Sequence, residues 1–356
     1  MALPDDQRSS RRAAAVSRDF QAGLAYHQDG RRDRAEVLYR KVLRRVPDHV
    51  DALHLLGLIA HERGRHEYAV QLISRALAGL PESADVHLNL GCALQALGRL
   101  DEAAASYQRA IGLKPDLALA HSNMASILNL RRAFEGALER ARHAVELMPE
   151  LAAAHVNCAV ALLGQRRFVE AETAYRKVLA LQPSRAETLS DLAQVLTLSR
   201  FDEAIACHQQ AIALQPNNAM AHYRLGATLF RAGDLHASEA SCRRAISLDP
   251  SFAGARSALG QLLRSLGRFD EALTCYHRAL ELDPELSDAH AGLAIIGKRV
   301  RTTAEIDRLR MLLASPDRPA AVRIDAGFAL GMLLDNADRC EEAFPCFAEA
   351  NALYRQ

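Results

Sequence analysis

Small and apolar residues return in phase every 34 residues along most of the chain, with polar segments between them. Proline marks the period: Pro47, Pro81, Pro115, Pro149 and Pro183 are 34 residues apart, and Pro216, Pro250 and Pro284 follow at steps of 33, 34 and 34. With units counted from 16, 50, 84, 118, 152, 186, 219, 253 and 287, position 8 reads Gly23, Gly57, Gly91, Ala125, Ala159, Ala193, Gly226, Gly260 and Ala294. Position 20 is Ala35, Ala69, Ala103, Ala137, Ala171, Ala204, Ser238 and Ala272, and position 27 is Ala or Val from Val42 to Ala279. Position 24 is the large one, with Tyr39, Ile73, Tyr107, Tyr175 and Tyr276, but Ala141, His208 and Cys242 in the remaining units. These spacings predict two helices per unit. Small residues let the helix backbones approach, and a ring fills the gap between units. Proline then ends the second helix, and the next one starts.

A 34-residue period closed by proline resembles the tetratricopeptide repeat. The resemblance implies an all-α, right-handed superhelix (an α-solenoid) of about ten helix-turn-helix units. Eight are regular, at 16–49, 50–83, 84–117, 118–151, 152–185, 186–218, 219–252 and 253–286. The sixth loses a residue in its intra-repeat turn, LTLSRFDEA against LQALGRLDEA in the third. A divergent ninth, 287–323, keeps its first helix, but its second, TTAEIDRLRMLLAS, lacks the motif, and Pro316 and Pro319 close it. The tenth, 324–356, places Gly331, Ala343, Phe347 and Ala350 at positions 8, 20, 24 and 27. Pro345 inside its second helix is expected to kink or shorten it. Residues 1–15 read as a polar, disordered leader. Because each unit buries its apolar stripe against its neighbours, one continuous array is expected. No polar capping helix follows the tenth unit, so Phe344, Phe347 and Leu353 are expected to lack a covering layer. A further domain or a second chain would then pack there, by self-association in the latter case.

Composition narrows the function classes. The chain has 356 residues, 49% of them hydrophobic, which excludes wholesale disorder; 5% aromatic content and no Trp argue against a β-sandwich. Forty-four Lys and Arg against 43 Asp and Glu leave a net charge of +1, so no basic field for nucleic acid exists. Charged runs such as RRDRAE, RRVPD and GKRVR read as a solvated face. The N-terminus has no signal-peptide core and nothing approaches a membrane span. Seven cysteines (Cys92, Cys158, Cys207, Cys242, Cys275, Cys340 and Cys346) form no CxxC and read as small core residues in a reducing, cytoplasmic compartment.

No GxGxxG, GxxxxGK[ST], GxSxG or HExxH is present, so neither a catalytic residue nor a cofactor is assigned. His87, His121, His155, His222 and His290 recur at position 4. Equivalent residues in adjacent units stand about 8–10 Å apart, whereas metal ligands converge at about 2–2.5 Å, so this ladder reads as structural and no metal is expected.

The resemblance implies that first helices line a concave groove, with positions 2, 5, 6 and 9 facing it. Position 6 holds Asn89, Asn123 and Asn157, then Asp191 and Arg224. A carboxamide offers both donor and acceptor to the backbone of an extended peptide, and the row resembles the asparagine ladder of O-linked N-acetylglucosamine transferase repeats. Position 2 carries Asp51, Asp85 and Glu187 and no lysine, which excludes a carboxylate clamp and favours a neutral or basic partner segment. Residues 328–351, FALGMLLDNADRCEEAFPCFAEAN, resemble the junction at which bacterial tetratricopeptide arrays precede a sulfotransferase domain. Two functions result: a non-catalytic scaffold binding a peptide or partner helix, or the substrate-recruiting or dimerising arm of a transferase.

Overall fold

The structure, a computed structural model, describes residues 5–197, 200–296, 303–337 and 339–355. These residues form twenty α-helices and no strand, in two compact units, 1–183 and 184–356. The first contains α1 (Asp5–Gln28), α2 (Arg32–Arg45), α3 (Val50–Glu62), α4 (His66–Gly79), α5 (Ala84–Ala96), α6 (Leu100–Leu113), α7 (Ala118–Leu130), α8 (Phe134–Leu147), α9 (Ala152–Gly164) and α10 (Phe168–Leu181). The second contains α11 (Ala186–Leu196), α12 (Phe201–Leu214), α13 (Ala219–Ala232), α14 (Leu235–Leu248), α15 (Ala253–Ser265), α16 (Phe269–Leu282), α17 (Ser287–Ile296), α18 (Thr303–Ala314), α19 (Ala320–Asn336) and α20 (Cys340–Tyr354). Odd-numbered helices are the first of each repeat. Apart from α17, each packs on its own second helix, and successive first helices touch from α3 to α9 and from α11 to α19. In a solenoid each repeat touches only its neighbours, so compact bodies form without a shared core.

The turn inside each repeat sets the hairpin. Its position 15 needs a left-handed backbone, supplied by Gly30, Gly64, Gly98, Gly233 and Gly267 at φ between +73° and +88°. In the fourth and fifth repeats Arg132 (φ 59°) and Arg166 (φ 61°) adopt it instead. A side chain there is strained by about 1–2 kcal/mol. Arg132→Gly and Arg166→Gly are therefore expected to raise stability by about 0.5–1 kcal/mol each, after glycine's greater freedom in the unfolded chain is subtracted. Urea denaturation of the two variants checks this; midpoints at or below that of the parent chain would refute it.

The turn between repeats is held by position 4. His87, His121, His155, His222 and His290 each donate Nε2–H to the carbonyl of Pro81, Pro115, Pro149, Pro216 or Pro284, at 2.8–3.0 Å. Arg256 does the same for Pro250. The carbonyl can only accept, so each ring carries its proton on Nε2. The solvated face is an ion-pair ladder in which Arg99, Arg167, Arg268 and Arg339, just ahead of their second helices, each meet the Glu three residues on at 2.7 Å. Exposed pairs of this kind contribute little individually.

Several expectations change. Residues 5–15 belong to α1 instead of forming a disordered leader; the run RRAAA favours helix, and Val16 and Phe20 farther along anchor it to the first core. α20 runs unbroken through Pro345, because the exposed ring removes one hydrogen bond without meeting a neighbouring helix. Phe347 is covered by its own first helix at Gly331, and Leu353 packs on the core, so only Phe344, 74% exposed, stands free of a covering layer. Cys340 is exposed at the start of α20, while Cys158 and Cys242 are buried and the rest half-buried, all as free thiols. The shortened sixth repeat has an 11-residue first helix against 13 in α9; residues 198–199 of its turn lie outside the described residues.

Candidate functional site

In the first unit the position-6 asparagines lie half-buried along one face of the first helices. Asn89 on α5 donates Nδ2–H to His54 Nε2 on α3 at 2.9 Å. Asn123 on α7 donates to Cys92 Sγ on α5 at 3.3 Å. Asn157 on α9 donates to the carbonyl (2.8 Å) and hydroxyl (3.2 Å) of Ser122 on α7. Each amide therefore stitches its helix to the preceding first helix. His54 accepts through an unprotonated Nε2, and its burial holds its pKa below the ordinary value, keeping it neutral. Among the described residues no Oδ1 of the three is engaged within the chain. The ladder thus offers acceptors, with donor capacity already committed, where the sequence suggested both.

The series changes in the second unit. Arg224 Nη1 on α13 pairs with Asp191 Oδ1 on α11 at 3.1 Å. Burial pushes the Asp191 carboxyl above its ordinary range and Arg224 draws it back. Beside the pair is a cavity of about 330 Å³, lined by Glu187, Gln215 and Met220 among others, with Gln215 donating to Glu187 Oε1 at 3.1 Å. The two charges neutralise each other, so they do not continue the carboxamide row. At position 2, Asp51 and Asp85 in the first unit and Asp288 in the second are exposed carboxylates; none makes an ion pair among the described residues.

A second cavity, about 220 Å³, opens between α13, α14, α15 and the first turn of α17. Its origin is position 24. A Cβ added at Gly91 would come within 2.5 Å of Tyr107 Cε1, and one at Gly260 within 2.8 Å of Tyr276 Cε1, so in those repeats a ring lies directly on the position-8 glycine. In the seventh repeat Gly226 faces Cys242 Sγ instead, and Ser238 Oγ donates to the Gly226 carbonyl at 2.8 Å. No ring fills the space. Burial pushes the Cys242 thiol up to about 11, so it stays protonated and forms an uncharged wall. Tyr223 and Phe230 supply aromatic walls, and Ser257, 4% exposed, has no hydrogen-bond partner for its hydroxyl among the described residues. In the sequence the site shows only as Cys242 and Ser238, departures from the Tyr and Ala of other repeats.

Among the described residues no three His, Cys, Asp or Glu side chains come together to hold a metal, and no helix is long and apolar enough to cross a membrane.

Three family models match the chain. Two describe the tetratricopeptide repeat, over residues 20–84 and 128–186 and over 84–117. The third, the cilia and flagella-associated protein 70 middle TPR-like domain, covers residues 189–353. None is a sulfotransferase or glycosyltransferase model. No curated protein sequence matches. Among solved structures, yeast Tom70 shares 16% identity over 96% of this chain and 92% of its own, with a TM-score of 0.55. A tetratricopeptide repeat protein from Parabacteroides merdae shares 14% over 70% and 99%, also at 0.55. PilF of Pseudomonas aeruginosa shares 24% over 58% and 94%, at 0.51. At these identities the likeness is one of fold.

Proposed function

Because this chain is built of tetratricopeptide repeats, we propose that it is a non-catalytic protein-interaction scaffold whose first-helix face holds an extended peptide or a partner helix. The observation that carries this reading is the row of unengaged Oδ1 acceptors on Asn89, Asn123 and Asn157, one per repeat. Adjacent first helices stand about 8–10 Å apart, close to one turn of a peptide extended as polyproline II, three residues at about 3.1 Å each. Every third backbone N–H of a bound peptide would therefore meet a ladder oxygen. Such recognition reads the backbone more than the side chains. The unpaired carboxylates of Asp51 and Asp85 beside the row favour neutral or basic segments over acidic ones.

The test uses peptides selected from a displayed random library against the full chain. Replacing Asn89, Asn123 and Asn157 together by Ala removes three hydrogen bonds worth about 1 kcal/mol each, and is expected to weaken the selected peptides about a hundredfold with helicity unchanged. Unchanged affinity in a calorimetric titration, or a selection dominated by acidic peptides, would overturn the reading.

A further inference from the structure

We propose that the cavity at Cys242 is an anchoring pocket for an aromatic side chain of a partner segment, with a basic group beside that ring. The inference rests on the protein-interaction reading above and assigns one site within it. Four observations converge. The void lies where Tyr39, Tyr107, Tyr175 and Tyr276 place their own rings in other repeats, all of them at most 1% exposed. A ring from outside would complete packing that the chain itself leaves open. Its volume suits such a guest: an apolar cavity of about 150 Å³ takes up benzene, and 220 Å³ leaves room for a polar substituent. Tyr223 and Phe230 offer aromatic surface for edge or offset packing.

The polar groups fix the guest's chemistry. Ser257, 4% exposed, lines the wall, and its hydroxyl makes no hydrogen bond among the described residues, which leaves it free to bond a polar substituent of the guest. Asp288 stands at the rim with no ion pair among the described residues. Arg231 also lines the cavity, at the far end of α13, with its guanidinium over the Phe201 ring, 5.8 Å from the centroid. Beside Tyr223 the rim charge is that of Asp288, and it selects a cation next to the ring.

Ring-bearing probes test this on the full chain by saturation-transfer NMR. Tyramine joins a phenol to an ammonium, p-cresol lacks the charge, and 4-hydroxyphenylacetate reverses it. Affinity is expected to fall in that order. Cys242→Tyr supplies the missing ring from within, as four other repeats do, and is expected to weaken tyramine at least about tenfold. Ala258→Leu, filling the void from α15, should do the same should the tyrosine disturb the fold. Asp288→Asn should erase the advantage of tyramine over p-cresol. Absence of transfer to every probe in the parent chain, or equal transfer to parent and both filled variants, would overturn the proposal. Neither filled variant touches the asparagine row. Library peptides that bind parent and Cys242→Tyr alike, yet fail on the triple asparagine variant, would remove the pocket and leave the scaffold. Indifference of those peptides to the triple variant would remove the scaffold reading itself.

Discussion

Leucine at position 91 is expected to lower stability by about 3 kcal/mol and to open the third repeat locally. Gly91 sits on α5 where the backbone meets the face of Tyr107; an added Cβ would be 2.5 Å from Cε1, 2.7 Å from Cδ1 and 3.0 Å from Cζ. The ring cannot yield easily. Tyr107 is fully buried, and its hydroxyl donates to Gln95 Oε1 on α5 at 2.8 Å. Leucine must therefore displace the ring, break that bond, or push α5 from α6, and overpacking of this kind costs about 1–3 kcal/mol, at times more. Because repeat stabilities add along a solenoid, the loss should appear as faster amide exchange in α5, α6 and the helices touching them. The pair Gly91→Leu with Tyr107→Ala should cost less than the sum of the two changes, since alanine vacates the space the leucine needs. Exchange and thermal midpoint equal to those of the parent would show that the crossing is not as tight as these distances imply.

Acid is expected to destabilise the second unit through His208. This residue takes position 24 of the sixth repeat, is fully buried, and among the described residues has no hydrogen-bond partner at either ring nitrogen. Burial, helped by the charge of Arg224, lowers its pKa from 6.5 to about 4. The folded value lies below the unfolded one, so between them the unfolded chain binds more protons. Stability is intact above about pH 6.5 and declines as pH falls towards 4, by about 3 kcal/mol in all. His54 and His121, in the first unit, are shifted the same way by burial and give that unit a trend of the same sign. His208→Phe keeps a ring in the site and removes both the titration and two unmet polar nitrogens. It is expected to raise stability at neutral pH and to flatten the acid limb. Urea midpoints measured across that range would decide, and parallel pH profiles for parent and variant would refute the assignment.

The helix pairs, their phase and their crossing points were legible without coordinates. Pro47 to Pro284 and the small residues at positions 8, 20 and 27 are one local pattern written eight times, and a repeat that contacts only its neighbours needs little else to be read. Propensity and period, however, say nothing of what a side chain meets in the next repeat. Asn89 and His54 are 35 residues apart, and Asn123 and Cys92 are 31 apart, so the half-committed ladder became visible only when the helices were packed. The position-4 histidines looked like packing residues until their Nε2 atoms were found on proline carbonyls six residues earlier. Arg132 gave no sign of left-handed backbone, because its conformation is imposed by the hairpin and opposes its own preference. At Cys242 the sequence recorded a missing ring, but whether neighbours would close over the gap depends on the volume left among α13, α14, α15 and α17. Periodicity determined the elements and their partners; free volume and hydrogen-bond reach between repeats, which are properties of the packed helices alone, decided which groups remain open to bind.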